Sequence, residues 1–264
     1  MKYLIIPALL TLIALVDLQA QEESKMELKE HKISLSSGKL NLQEINGVTI
    51  EGTSGNEVII QAETRKSSED DRAAGLKEIS ALGLSDNTGL GLNVKKEGNE
   101  ATLRSISKNN SKRYTIKVPA GVAVNYEHSS YMAKELQIRN TSSEIEVSSN
   151  YNKIKIENAT GPLAINSVYG GIEATFDRLS ANNDITLYSV YSFVDVTVPA
   201  NAKATFHLST SFGQMFTDLD LSFESEKEEG MRNLSNKDMV GKFNGGGTNV
   251  KLTATYGKLY LRKK

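Results

Sequence analysis

The 264-residue chain contains no cysteine. It cannot be stapled by disulfides, cannot carry the acylated cysteine of a bacterial lipoprotein, and must rely on packing for stability. Histidine is scarce: His31, His128 and His207 lie in unrelated contexts without HExxH or another compact ligand spacing. No GxSxG elbow is present, and no thiol is available as a nucleophile, which removes two local signatures of acyl-transfer enzymes. Asn244-Gly-Gly-Gly-Thr248 lacks the lysine and hydroxyl spacing of a phosphate loop. An excess of one charge is missing too. Lys and Arg total 31 against 32 Asp and Glu, a formal net charge of −1, so a nucleic-acid partner has no electrostatic support.

Long apolar runs are confined to one place. Lys2, the largely apolar stretch Leu4 to Val16 and the closing Leu18-Gln19-Ala20 read as a secretory signal peptide over residues 1–20, with Gln21 opening the mature chain. The run is shorter than the ~20 residues that span a membrane, and no later stretch is a candidate for a transmembrane segment. Export without cysteine points to a bacterial envelope or secreted protein, in the periplasm, on the outer surface or released.

What the chain has in abundance is a repeat. Counting from an aromatic residue, apolar side chains fall at minus six, minus four, plus three and plus five, with a small residue at minus two and usually glycine at plus one. Five copies keep this register, around Tyr151, Tyr169, Tyr191, Phe212 and Tyr256. The second runs Leu163, Ile165, Ser167, Tyr169, Ile172, Ala174; across all five, Thr217 alone departs from the apolar slots. Period-two alternation marks strands with one buried face, so each copy is two short strands joined at a corner. Gly170, Gly213 and Gly257 suit that corner through positive φ, and Asn152 and Ser192 are also turn-tolerant. The aromatics are 18, 22, 21 and 44 residues apart, the last near two periods. Units this small must stack to bury a core. The expected fold is all-β: a parallel β-solenoid or β-helix-like stack of short strands, with the five aromatics, sharing the parity of the buried aliphatics, stacked inside it.

In order along the chain, Ile33 to Leu42 resembles the last copy, and short strands continue at Val48 to Ile50 and Val58 to Ala62. An irregular insertion follows at 63–113. In it, Ser68-Glu-Asp-Asp71 ahead of Ala73, Leu76, Ile79 and Leu82 predicts a short helix capped by Ser68, and Leu92 to Lys96 with Ala101 to Ile106 predicts a hairpin. The segment through Pro119 to Tyr131 echoes that through Pro199 to Phe212, with proline-to-aromatic distances of 12 and 13 that suggest a bulge in one copy. Residues 222–246, with Glu224-Ser-Glu-Lys-Glu-Glu-Gly230, read as an exposed charged loop. Residues 21–264 are otherwise one β-strand-repeat domain.

Ser209-Thr-Ser-Phe-Gly213, Asn244-Gly-Gly-Gly-Thr248 and Ala254-Thr-Tyr-Gly-Lys-Leu-Tyr-Leu-Arg262 together resemble the bacterial putative-adhesin family of β-strand-repeat proteins. That resemblance implies an exported solenoid-like protein, some relatives being connected to envelope stress and others labelled adhesins. It supplies no catalytic residues to carry over.

The functional expectation is a non-enzymatic envelope or cell-surface scaffold, adhesin-like, presenting an outward face to a protein or glycan partner. A periplasmic envelope-stress module is the alternative. The enzyme rival is a carbohydrate-active β-helix using outward carboxylates, with Asp218 and Asp220 sharing strand parity and Asp195 on another rung. No residue is nominated as catalytic, cofactor-binding or metal-binding, and no cofactor is implied.

Overall fold

The computed structural model describes residues 26–65, 72, 76, 79–80, 83–107, 112–223 and 237–264. The signal peptide read at 1–20 lies outside them. In chain order the strands are β1 (Met26–Ile33), β2 (Gly38–Gln43), β3 (Val48–Thr53), β4 (Val58–Arg65), β5 (Leu92–Glu97), β6 (Glu100–Ser105) and β7 (Tyr114–Pro119). Then come β8 (Val122–His128), β9 (Leu136–Arg139), β10 (Ile145–Ser149), β11 (Ile154–Glu157), β12 (Leu163–Ser167), β13 (Ile172–Thr175) and β14 (Ile185–Ser189). The last are β15 (Val194–Val198), β16 (Ala204–Thr210), β17 (Gln214–Thr217), β18 (Ser222–Phe223), β19 (Lys237–Phe243), β20 (Thr248–Ala254) and β21 (Lys258–Lys263).

These strands form two mixed sheets. One has 10 strands in the order β1-β4-β7-β3-β9-β11-β13-β15-β21-β17, and the other 11 in the order β18-β19-β16-β20-β14-β12-β10-β8-β2-β6-β5. Neither closes into a barrel. Each repeat contributes one strand to the second sheet, turns the predicted corner, and contributes the next to the first. The apolar slots then align from rung to rung: Ile145, Leu163, Ile185 and Val250 are register partners in one sheet, and Ile154, Ile172, Val194 and Leu259 in the other. All of them are buried, in one continuous apolar core running from Ile33 to Leu261. The odd slot, Thr217, is exposed on β17, the strand at the sheet's edge, where an apolar residue would gain little.

The expected parallel stacking runs from β6 and β7 through β2 and β3, β8 to β15, and β20 and β21 to β16 and β17, and antiparallel strands interrupt it at both ends. β4 adds antiparallel to β7 and β1 antiparallel to β4, β5 adds antiparallel to β6, and β19 adds antiparallel to β16 and β18 antiparallel to β19. Sequence order is also broken. The final rung, β20–β21, lies between β14–β15 and β16–β17, and the first, β2–β3, lies between β6–β7 and β8–β9. The interval of 44 residues from Phe212 to Tyr256 is therefore a step back into the stack rather than two periods along it.

No α-helix occurs among the described residues. Most of the predicted helix at Ser68 to Leu82 lies outside them, but Ile79 forms an antiparallel bridge with Ser85, and Leu76 and Ile79 are exposed. A short amphipathic segment with no core against which to bury its apolar side lacks what holds such helices together. The predicted hairpin is present as β5–β6, turning at Gly98 with φ of 57°, and through β6 it belongs to the larger sheet. The difference between the Pro119 and Pro199 segments lies in the corner: β7 passes to β8 through Ala120 and Gly121, while residues 199–203 separate β15 from β16. Of residues 222–246, expected as an exposed charged loop, 222–223 form β18, 237–243 form β19 and 244–246 the turn after it, and 224–236 lie outside the described residues.

Candidate functional site: an exposed aromatic column

Strands β10, β12, β14 and β16 all end on the hydroxyl residue two before the aromatic: Ser149, Ser167, Ser189 and Thr210. All four are buried. Each hydroxyl oxygen accepts the backbone N–H three residues on, from Asn152 (3.2 Å), Gly170 (3.1 Å), Ser192 (3.2 Å) and Gly213 (2.9 Å). This local bond bends the chain across the corner, and β20 shows the alternative. Its Ala254 has no hydroxyl, and its carbonyl oxygen instead accepts the Thr210 hydroxyl of the neighbouring rung at 2.7 Å.

With the strand ended at the hydroxyl, alternation no longer dictates direction, and the aromatic points off the outside of the corner. Tyr151, Tyr169, Tyr191, Tyr256 and Phe212 are 42, 52, 54, 51 and 72% exposed, which overturns the expected internal stack. The stack itself is real. Successive ring centroids are 5.0, 5.1, 5.1 and 4.8 Å apart with interplanar angles of 12, 12, 11 and 6°. The spacing follows the ~4.8 Å separation of neighbouring strands, so the sheet sets the column. Backbone bonds carry the ladder through the corner: the N–H groups of Tyr169, Tyr191, Tyr256 and Phe212 donate to the carbonyls of Asn150, Val168, Val190 and Thr255, at 2.7 to 2.9 Å.

The corner glycines serve a different end from the one expected. Gly170, Gly213 and Gly257 are not among the residues with positive φ. A Cβ on them would instead meet the neighbouring rung's carbonyl oxygen, of Asn152, Gly257 and Ser192, at 1.8, 1.6 and 1.7 Å. At these three positions close backbone approach, rather than a left-handed turn, is what glycine permits. The column stops at Tyr151. On the next rung His128 aligns with Ser149, so Ser130 rather than Tyr131 would fall in the aromatic position. Asn152 closes that end, donating from its side-chain amide to the carbonyl of Lys134 at 2.6 Å.

A smaller stack lies on the outer face of the other sheet, where Phe216 and Tyr260 are 5.4 Å apart and the Arg262 guanidinium sits 5.1 Å from the Tyr260 centroid. On the outer face of the larger sheet, Asn166, Thr186, Tyr188, His207, Lys251 and Thr253 help line an open groove of about 570 Å³.

Two of the three carboxylates of the enzyme rival are otherwise engaged. Asp195 accepts two bonds from Arg262, at 2.8 and 3.0 Å, and Asp218 accepts the backbone N–H of Lys263 at 2.7 Å. Asp220 is exposed two residues beyond Asp218. The histidines are dispersed: His128 is buried, His207 is exposed in β16, and His31 is partly exposed in β1. Among the described residues no three His, Asp or Glu side chains gather as a metal site. Sequence reasoning found the column's residues from their spacing and missed their exposure.

No family model and no curated protein matches the chain. Two solved structures are similar to it. The crystal structure of a putative cell adhesion protein from Clostridium sporogenes aligns over 91% of this chain and 100% of its own, with a TM-score of 0.48 and 11% identity. That of a putative adhesin from Bacteroides fragilis aligns over 91% and 99%, with a TM-score of 0.31 and 10% identity.

Proposed function

We propose that this chain is an exported, non-enzymatic envelope or cell-surface scaffold, adhesin-like, whose solenoid-like stack holds a partner protein against the column of Tyr151, Tyr169, Tyr191, Tyr256 and Phe212. The observation that carries this reading is the column's exposure: five aromatic rings stand in solvent on a corner held rigid by backbone bonds from rung to rung. Tyrosine supplies large contact area at small conformational cost, and contiguous exposed aromatic surface marks interaction sites.

Ring orientation favours protein over glycan. A sugar stacks against an aromatic face, but within the column each face meets the next ring, and Tyr151 and Phe212, at its two ends, alone have a face that no column ring covers. Along its length the column offers ring edges and phenolic oxygens, which suit side chains and backbone groups of a protein surface.

The test has two arms. Protease added to intact cells should cleave the protein. Cells displaying it should adhere to a protein-coated surface, and more weakly when Tyr169 and Tyr191 are both replaced by serine in a variant that still shows the β-sheet circular dichroism of the parent. Cleavage only after outer-membrane permeabilisation, or adhesion indifferent to the double substitution, would remove the reading. The first of those results would favour the periplasmic alternative.

A further inference from the structure

Four tyrosines in succession share the column, Tyr151, Tyr169, Tyr191 and Tyr256, each about half exposed and each near-parallel to the next at 5.0 to 5.1 Å. Tyr131, Tyr188 and Tyr260 do not share that arrangement: Tyr131 is 79% exposed in a different register, Tyr188 is partly buried on the sheet face, and Tyr260 pairs with Phe216. From this geometry we infer that the column is a site of oxidative modification, in which neighbouring rungs become joined covalently as dityrosine between Tyr151 and Tyr169, Tyr169 and Tyr191, or Tyr191 and Tyr256. The inference is independent of which partner, if any, the column meets.

The chemistry balances with a one-electron oxidant of the peroxidase class, supplied with hydrogen peroxide. Each of two phenols loses one electron and one proton, giving two phenoxyl radicals. The radicals pair through the ring carbons ortho to oxygen, forming one C–C bond. The two ring hydrogens at that bond then move to the phenolic oxygens and restore aromaticity. Per link, two hydrogen atoms leave the protein, and one hydrogen peroxide becomes two waters.

Several features of the site serve this reaction. The in-register ladder sets equivalent ring edges side by side, so the second radical is already at hand and coupling is intramolecular, where effective concentrations far exceed those of proteins in solution. Half-exposure admits an oxidant to the phenol. It also leaves the rings room to swing outward from face-to-face stacking toward the nearly edge-to-edge pairing that the new bond requires. Such a link would tie β10 to β12, β12 to β14, or β14 to β20. The last is the most consequential, because Tyr256 belongs to the rung inserted out of sequence order and the loop closed from Tyr191 to Tyr256 is the longest of the three.

The test treats the full chain with horseradish peroxidase and hydrogen peroxide at low protein concentration, isolates the monomer, and identifies cross-linked peptides by mass spectrometry alongside dityrosine fluorescence. The three named pairs should dominate, well above any pair containing Tyr131, Tyr188 or Tyr260. The double substitution Tyr169→Phe with Tyr256→Phe keeps every ring in the column but leaves no two tyrosines adjacent, and should cut the intramolecular product by about tenfold or more. Treatment in urea, which disperses the rungs, should do the same to the parent. Links that form mainly between molecules, that pair tyrosines at random, or that persist unchanged in the double variant would each overturn the inference.

Discussion

The carbonyl oxygen of Ser192 fills the space in which Gly257 would carry a side chain: a Cβ built on Gly257 lies 1.7 Å from it. Because the obstacle is backbone, relief requires two rungs to part at the corner. Gly257→Ala is therefore expected to cost about 3 kcal/mol or more, at or beyond the upper end of ordinary overpacking. Gly98, in the β5–β6 turn, makes the contrast. Its φ is 57° and a Cβ there would meet nothing within 4 Å, so Gly98→Ala should cost only the left-handed penalty of about 1–2 kcal/mol. Urea midpoints of the two variants give the order; equal losses would show that close approach is not what glycine serves at the corner.

Ser189 ties two rungs with one hydroxyl. It accepts the Ser192 N–H at 3.2 Å and donates to the Gly170 carbonyl at 3.1 Å, fully buried. Ser189→Ala deprives a half-buried donor and a buried acceptor of their partner, and a loss of about 1–3 kcal/mol is expected. The column above the site should loosen as well, so faster amide exchange at Tyr191 and Ser192 would accompany the lower melting temperature. A variant as stable as the parent would show that the corner is held by the rung-to-rung bonds alone.

The aliphatic slots were legible because burial on one face writes period two directly into the sequence, as at Ile145, Val147, Ile154 and Ile156. The outward turn of Tyr169 was not. Parity predicts direction only while a strand continues, and the strand ends at Ser167, whose hydroxyl bonds to the Gly170 N–H. The place of Tyr256 between Tyr191 and Phe212 was equally hidden, since every rung carries the same grammar and the grammar does not name neighbours. The glycines announced a corner but not its cause: a positive φ can be guessed from the residue type, whereas the oxygen facing Gly170 belongs to a residue on another rung. The helix at Ser68 to Leu82 was read from a cap and a period that the bridge between Ile79 and Ser85 does not respect.

His128 stands in the hydroxyl slot of its rung, 3% exposed, with its ring 6.1 Å from that of Tyr126 and its buried Nδ1 without a hydrogen-bond partner among the described residues. Burial pushes its pKa below the ordinary 6.5, against the opposing pull of the Glu44 carboxylate and of Asn152. The folded state thus prefers the neutral ring. As pH falls below 6.5 the unfolded chain takes up a proton that the folded chain resists, and stability is lost until the folded ring protonates too; above 6.5 the contribution is fully present. Melting temperatures at about pH 7.5 and about pH 5.5 should therefore differ more for the parent than for His128→Gln. An identical acid response in both would place the titration elsewhere.

Tyr169 touches a ring on each side, at 5.0 and 5.1 Å, so it reports what the column contributes to stability. Stacked aromatic pairs contribute about 0.5–1.5 kcal/mol each beyond area burial, and Tyr169→Ala should cost about 1–3 kcal/mol. Tyr169→Phe keeps both contacts and gives up only a hydroxyl that no described residue bonds, so it should stay within about 0.5 kcal/mol of the parent. Tyr131→Ala, at an exposed ring outside the column, should do the same. If Tyr169→Ala were as mild as Tyr131→Ala, the sheets alone would hold the rungs together. The column would then be a surface the fold carries without depending on it, free to vary with whatever it meets.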